Sequence, residues 1–318
     1  ANVVLGYLDP GYFLGGAMPL DARAAHRAIE QRLAGRLGLS TVEAARGIYE
    51  VVNQNMISAT KVHIAERGED PRKFYLVAFG GAGPAHAYEL ARALRMKGVV
   101  VPPNAGNTSA VGLVTTAASF DFARSFVMRL DRVEWSGLRA VFDPMVAEGR
   151  AQLADAGVDL HGPGVEVTRR LDLRHKGQGY EVTVDIPDDL YGRASVEELV
   201  GLFYDRYEDK YGHAHRNLPV ELITCRTTVS GPAPRVPLPP APAAAEPLER
   251  AAKGTRPVYF PETSGYVDTP VFDRYRLSRG ASFTGPAVIE ERECTVIAGP
   301  GCAVRVDQYG NLFLDLAR

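Results

Sequence analysis

Apolar residues recur at helical spacing near the start of the chain. Ala22, Ala25, Ile29 and Leu33 follow Asp21 and precede Gly38, which predicts a capped helix over about 22–37. Ser-Thr-Val-Glu at 40–43 is a capping box with Glu43 reaching back. Val42, Ala45, Ile48, Val52 and Met56 then share related faces of a long helix to about 67, and Gly68 closes it. The pattern shortens at 74–79, an apolar, aromatic-rich run that reads as a buried strand. Gly80-Gly81-Ala82-Gly83-Pro84 follows at once, and a helical pattern continues to about 96. Gly98 to Val101 reads as a second strand, stopped by Pro102-Pro103, with another helix starting near Thr108. Strands alternating with helices imply an α/β domain whose sheet is largely covered.

The pattern changes after about residue 125. Residues 135–156 read as a helix kinked at Pro144. Alternating segments within 165–186 predict an antiparallel hairpin around Lys176-Gly177-Gln178-Gly179. A second capping box, Ser195 to Glu198, opens a helix that places Leu199, Phe203, Tyr207 and Tyr211 four apart as a core stripe. Residues 220–230 are strand-like. The Pro- and Ala-rich stretch at about 231–247 reads as an extended connector, and the last seventy or so residues are short strands punctuated by Gly and Pro. The expected division is 1–127, an α/β domain, and 128–318, an α+β and strand-rich domain.

Length supports two domains, since 318 residues exceed one ordinary core. A net charge of −2 gives no reason to expect nucleic acid or an anionic membrane as partner. The three cysteines are too few and scattered for a disulfide framework, so a reducing cytoplasm is the expected setting. The uncharged run at 98–120 holds two prolines, two asparagines and several hydroxyls, which argues against a membrane span.

The glycine corner carries the clearest chemistry. Glycines between a strand and a helix let a phosphate or ring lie against bare main chain, and the helix N-terminus adds partial positive charge. A tight turn with no ligand fits the same residues. The corner is neither GxxxxGK[ST] nor GxGxxG, so neither the Walker nor the Rossmann label applies. Asn104, Asn107, Thr108 and Ser109 occupy a strand-to-helix loop, a ligand position in open α/β sheets, although Thr108 also suits helix capping. Arg174, His175, Gln178 and Tyr180 crowd the hairpin, where Arg and Gln suit a carboxylate or amide and equally a solvated turn. His213 and His215 are two apart with no third ligand nearby, so no metal site is assigned. Glu290, Glu291 and Glu293 read as a charged strand face.

Several stretches occur together and in order: ANVVLGYLDPGYFLGGAMPLD, FYLVAFGGAGPAHA, VVVPPNAGNTSAVG, LDLRHKGQGYEVTV, FYDRYEDKYGH, VELITCRTTVSG, GPAVIEE and VDQYGNLFL. With them the chain resembles the A-type subunits of the hydantoinase/oxoprolinase family. The resemblance implies that 1–127 is the second half of an actin/sugar-kinase-like ATPase domain. It also implies an ATP-dependent enzyme that phosphorylates a carbonyl, either for hydrolysis of cyclic amides such as 5-oxoproline and N-methylhydantoin or for carboxylation of acetone and acetophenone. By the resemblance, Gly80, Gly81, Ala82 and Gly83 contact the adenosine of ATP and Asn2 its phosphates, while Thr108, from its place in the strand-to-helix loop, is a further nucleotide candidate. Arg174, Gln178 and His213 are substrate candidates. Mg²⁺ would be held mainly by residues outside this chain, and no catalytic residue is assigned. The family's A-type polypeptides are about twice this length, and the motif around Ala1 usually reads Thr-Asp-Ala-Asn. The expected partners are therefore the N-terminal half of the same polypeptide, a small carbonyl substrate and a B-type subunit. The chain alone is expected to be inactive. A scaffold that keeps the fold without turning over ATP is the alternative.

Overall fold

The local signals are realised in a computed structural model that describes residues 1–160, 162–234 and 247–316. The connector expected at about 231–247 lies mostly outside the described residues. In chain order the first elements are α1 (Ala22–Ile29), α2 (Gly35–Leu37), α3 (Thr41–Ala65), β1 (Tyr75–Val77), α4 (Gly83–Ala93), β2 (Gly98–Val101) and α5 (Thr108–Thr115). Next come β3 (Ser119–Arg129), α6 (Trp135–Asp155), β4 (Glu166–His175), β5 (Val182–Ile186), α7 (Val196–Tyr211) and β6 (Val220–Ser230). The last are β7 (Ala252–Phe260), β8 (Gly265–Asp273), β9 (Ser282–Thr284), β10 (Ala287–Glu290), β11 (Thr295–Ala298), β12 (Ala303–Val306) and β13 (Leu312–Asp315).

The caps act as the sequence implies. Asp21 accepts from the Ala24 N–H at 2.9 Å, and both capping boxes close, Ser40 with Glu43 and Ser195 with Glu198. Between α1 and α2 a π-helical turn, Glu30–Ala34, keeps the chain helical until Gly38 at φ +67°. The Pro144 position does not divide its helix, which runs through it.

Strand pairing divides the chain into two compact units. Residues 1–113 and those from Pro247 onward form the larger, and 114–234 the smaller. The smaller unit is thus inserted within the larger, whereas the change of pattern along the sequence suggested one break near residue 127. The reason is β13, which returns to pair antiparallel with β2 (Leu312 opposite Val101, Asp315 opposite Gly98).

In the larger unit a five-stranded sheet has the order β1-β2-β13-β12-β9, with β1 parallel to β2. A four-stranded sheet has the order β11-β10-β8-β7. Strands β10 and β11 are buried at every position. Ile289 and Val296 face a core shared with α4, β2 and β13, while Val288 and Ile297 face one shared with Leu5, Tyr49 and Phe260. Burial on both sides explains their unbroken apolar runs. The strand expected at 74–79 is shorter and lies at the sheet edge, so Val77 and Phe79 are 57% and 51% exposed rather than buried.

The smaller unit is an antiparallel sheet, β3-β6-β4-β5, with α6 and α7 supplying Leu138, Phe142, Met145, Leu199, Phe203 and Tyr207 to its core. The aromatic stripe of α7 is core as expected, up to Tyr211, which is exposed. Strand β3 was not legible in the sequence as a strand.

Candidate functional site

The glycine corner follows β1 directly. Gly80 has φ +84°, a left-handed conformation that favours glycine, and its N–H donates to the Ala105 carbonyl at 2.7 Å. A side-chain carbon at Gly80 or Gly83 would meet nothing within 4 Å, and one at Gly81 would come within 3.3 Å of the Glu293 carbonyl. The corner is therefore open, and no side chain fills it. Helix α4 begins there with Ala82 as its N-cap, uncapped by any side chain, and Pro84 in its first turn. The N–H groups of Gly81, Ala82 and Gly83 have no acceptor among the described residues. Unpaired donors at a helix start form a seat for negative charge or for a polar ring edge.

A second loop, 102–107 after β2, is tied to this corner through Ala105, which is fully buried. Its carbonyl accepts from Gly80 and from the Thr108 hydroxyl at 3.1 Å, and its N–H donates to Glu291 Oε2 at 3.1 Å. Thr108 is therefore the first residue of α5, with its hydroxyl engaged as a donor. Glu291 is 1% exposed at its side chain, is paired with Arg274 at 3.3 Å (5% exposed), and accepts from the Cys294 thiol at 3.2 Å. Burial lowers the Arg274 pKa against the pull of Glu291, and burial then Glu291 raise that of Cys294. Neither Glu290 nor Glu291 belongs to a solvated strand face. Glu290 is equally buried between Lys253 and Arg256. The sequence read these as a charged strand face, but Lys253 and Arg256 of β7 reach Glu290, and Arg274, in the turn just after β8, reaches Glu291, which permits the burial of both carboxylates.

Asn2 lies beside α4. Its Nδ2 is 3.5 Å from His86 Nε2, and His86 Nδ1 is 2.7 Å from Asn53 Oδ1. Because Asn53 Oδ1 accepts, Nδ1 carries the proton and Nε2 is left as acceptor for the Asn2 amide. Burial lowers the His86 pKa, which keeps the ring neutral, and it stacks on Tyr49 at 4.7 Å. Arg256 holds the adjacent turn by donating to the carbonyls of Gly6 (2.8 Å) and Tyr7 (3.1 Å). Sequence reading missed His86 and Arg274 and placed Glu291 on a charged strand face; only the position of His86 behind the glycines could have signalled one of them.

Arg174, Gln178 and His213 belong to the smaller unit. Arg174 lies between Glu221 (3.5 Å) and Glu181 (3.9 Å). Gln178 accepts from the His175 N–H at 3.3 Å and donates to the Tyr207 hydroxyl at 3.0 Å, bracing the hairpin onto α7. The His213 ring is 3.2 Å from the Tyr211 carbonyl and 5.3 Å from the His215 ring. His175 is the buried member at 4% exposure, against Phe203 and Tyr207. It shares the inward side of β4 with Leu171 and Leu173, a period-two signal present in the sequence. Among the described residues no three His, Cys, Asp or Glu side chains are grouped to hold a metal ion, and no helix is long and apolar enough to cross a membrane.

The hydantoinase/oxoprolinase family model matches residues 1–121, and that of the hydantoinase/oxoprolinase C-terminal domain matches residues 138–316. The chain is 34% identical to the caprolactamase alpha subunit of Pseudomonas jessenii over 96% of its own length and 44% of that protein's. The solved ATP-dependent caprolactamase of the same organism superposes with a TM-score of 0.72 at 32% identity, over all of this chain and 46% of that one. A nucleotide-free acetone carboxylase from work on ATP-dependent acetone carboxylation gives 0.77 at 25% identity, over 99% and 46%. The chain thus spans less than half the length of these relatives and shares their α/β architecture. It belongs to the hydantoinase/oxoprolinase family.

Proposed function

We propose that this chain is part of an ATP-dependent enzyme that phosphorylates a carbonyl oxygen, serving cyclic-amide hydrolysis or ketone carboxylation. In this reading Gly80 to Gly83 receive the adenosine side of ATP. The observation that carries it is the open backbone corner with unpaired N–H groups at the start of α4. Those residues fit a nucleotide: bare main chain admits a flat ring, and the donors suit its polar edge. ATP, when bound, would supply the phosphoryl group that turns an inert amide or ketone oxygen into a reactive one. Asn2, oriented by His86, extends the same side of the site. The described residues do not fit Mg²⁺ as its principal ligands, since no three His, Cys, Asp or Glu side chains among them are grouped. Relatives named as ATP-dependent or as subunits support the nucleotide and a partner subunit.

Gly83→Val tests this in the assembled enzyme. The first side-chain carbon meets nothing within 4 Å, so the melting temperature should hold. Affinity for a fluorescent ATP analogue should fall at least tenfold. Unchanged affinity would remove the nucleotide from this corner, and a wild-type assembly without ATP hydrolysis would favour the scaffold.

A further inference from the structure

Helix α4 begins at the glycine corner, and its last turns line a separate cavity in the larger unit, about 390 Å³ in volume. Glu89 and Arg92 of α4, Arg46 and Glu50 of α3, and Tyr7 of the opening turn contribute its polar groups. We infer that this cavity binds a small alkylammonium ion, a ligand class distinct from a nucleotide or a carbonyl compound. The inference does not depend on the function proposed above.

Tyr7 distinguishes the cavity from a mere gap between helices. The residue is 2% exposed, and its hydroxyl has no hydrogen-bond partner among the described residues. The oxygen is unpaired but not sealed in by protein, so it opens into the cavity that Tyr7 lines. The neighbouring polar groups are already engaged. The Tyr49 hydroxyl donates to the Ala85 carbonyl at 3.0 Å, and that of Tyr259 accepts from Arg46 at 3.3 Å. Asn53 is taken by His86 at 2.7 Å and by Tyr49. A buried hydroxyl without a partner costs free energy, which a hydrogen bond to a ligand offsets. Burial, then Tyr49, Glu89 and Glu262, raise the Tyr7 pKa, so the hydroxyl stays neutral and its lone pairs can accept.

The charges select a cation. Arg46 is paired with Glu50 at 2.6 Å, and Arg92 lies between Glu89 at 2.7 Å and Glu262 at 3.5 Å. Two guanidiniums against three carboxylates leave a surplus of one negative charge. The Glu89 side chain is 15% exposed, burial raises its pKa, and its Oε1 has no partner among the described residues. A desolvated carboxylate with an unbonded oxygen is stabilised by an incoming positive charge. An ammonium head has three donors and no acceptor, which suits Glu89 and the nearby Tyr7 hydroxyl. Leu5, Ile57, Ala93 and Pro261 give its alkyl stem an apolar wall. An anion would find both arginines already paired. A neutral apolar molecule would leave the surplus charge and the hydroxyl without a partner.

The test titrates butylammonium chloride calorimetrically into the assembled enzyme, beside butanol, sodium butyrate and potassium chloride, and repeats it with Tyr7→Phe and Glu89→Gln. Tyr7→Phe removes a hydroxyl that bonds nothing in the protein, so its melting temperature should hold. Glu89→Gln removes the charge and keeps an acceptor for Arg92. The expected result is saturable butylammonium binding, with butanol and butyrate weaker by about tenfold or more and a loss of about tenfold in each variant. Unchanged affinity in either variant, or no binding at all, would overturn the inference. So would butanol binding as tightly, which would leave only an apolar recess. Displacement of butylammonium by an equal concentration of potassium would assign a bare-cation site and overturn it too. Should Glu89→Gln lower the melting temperature, Tyr7→Phe alone decides.

Discussion

Glu291→Ala probes the link between the two loops. Its carboxylate is the buried partner of Arg274 and the acceptor for Ala105 N–H, and Ala105 in turn holds Gly80. Removing one member of a buried ion pair costs about 3–5 kcal/mol, because the remaining charge is stranded. The orphaned Ala105 N–H adds about 1–3 kcal/mol, less than additively since both share one carboxylate. A loss of about 4 kcal/mol is expected, which moves a urea midpoint by more than about 1 M. Circular dichroism would follow both units together, and the excess over the tryptophan signal reports the larger one. Fluorescence of Trp135, the only tryptophan, reports the smaller unit and serves as the control. Glu291→Gln keeps an acceptor for Ala105, so it should cost less. Combining it with Arg274→Met should recover most of the loss, since no charge is then stranded. A cost below about 1 kcal/mol for Glu291→Ala would refute the view that this pair anchors the loops.

In Gly98→Ala the new methyl would sit 2.2 Å from the Leu314 carbonyl, so β2 and β13 must separate locally. The expected loss is about 1–3 kcal/mol, and an unchanged melting temperature would count against that pairing. Burial lowers the pKa of His86 and of His175, the latter helped by the charge of His215, so the folded chain prefers both neutral. The unfolded chain takes up those protons first, so this contribution to stability is complete above about pH 6.5 and falls as the pH drops through it. Urea midpoints at pH 7.5 and 5.5 check the sign, and His175→Phe should flatten the Trp135-reported transition. Equal or steeper pH dependence in that variant would contradict the assignment.

What the sequence determined was local. Ser40 with Glu43 and Ser195 with Glu198 set helix starts through atoms three residues apart, and alternation set the hairpin that became β4 and β5. The open corner at Gly80 to Gly83 was also legible, because a strand, glycines and a helix follow one another without interruption. Strand β3 was not, since its alternation is irregular and its pairing with β6 shifts register near Ser125. Only the tertiary structure decided that β13 joins β2, that β1 is a sheet edge, and that Glu290 and Glu291 are buried. Those outcomes depend on whichever strand or guanidinium arrives from elsewhere in the chain. Periodicity and capping report the few residues around a position, whereas burial of a charge is set by a partner that those residues do not specify.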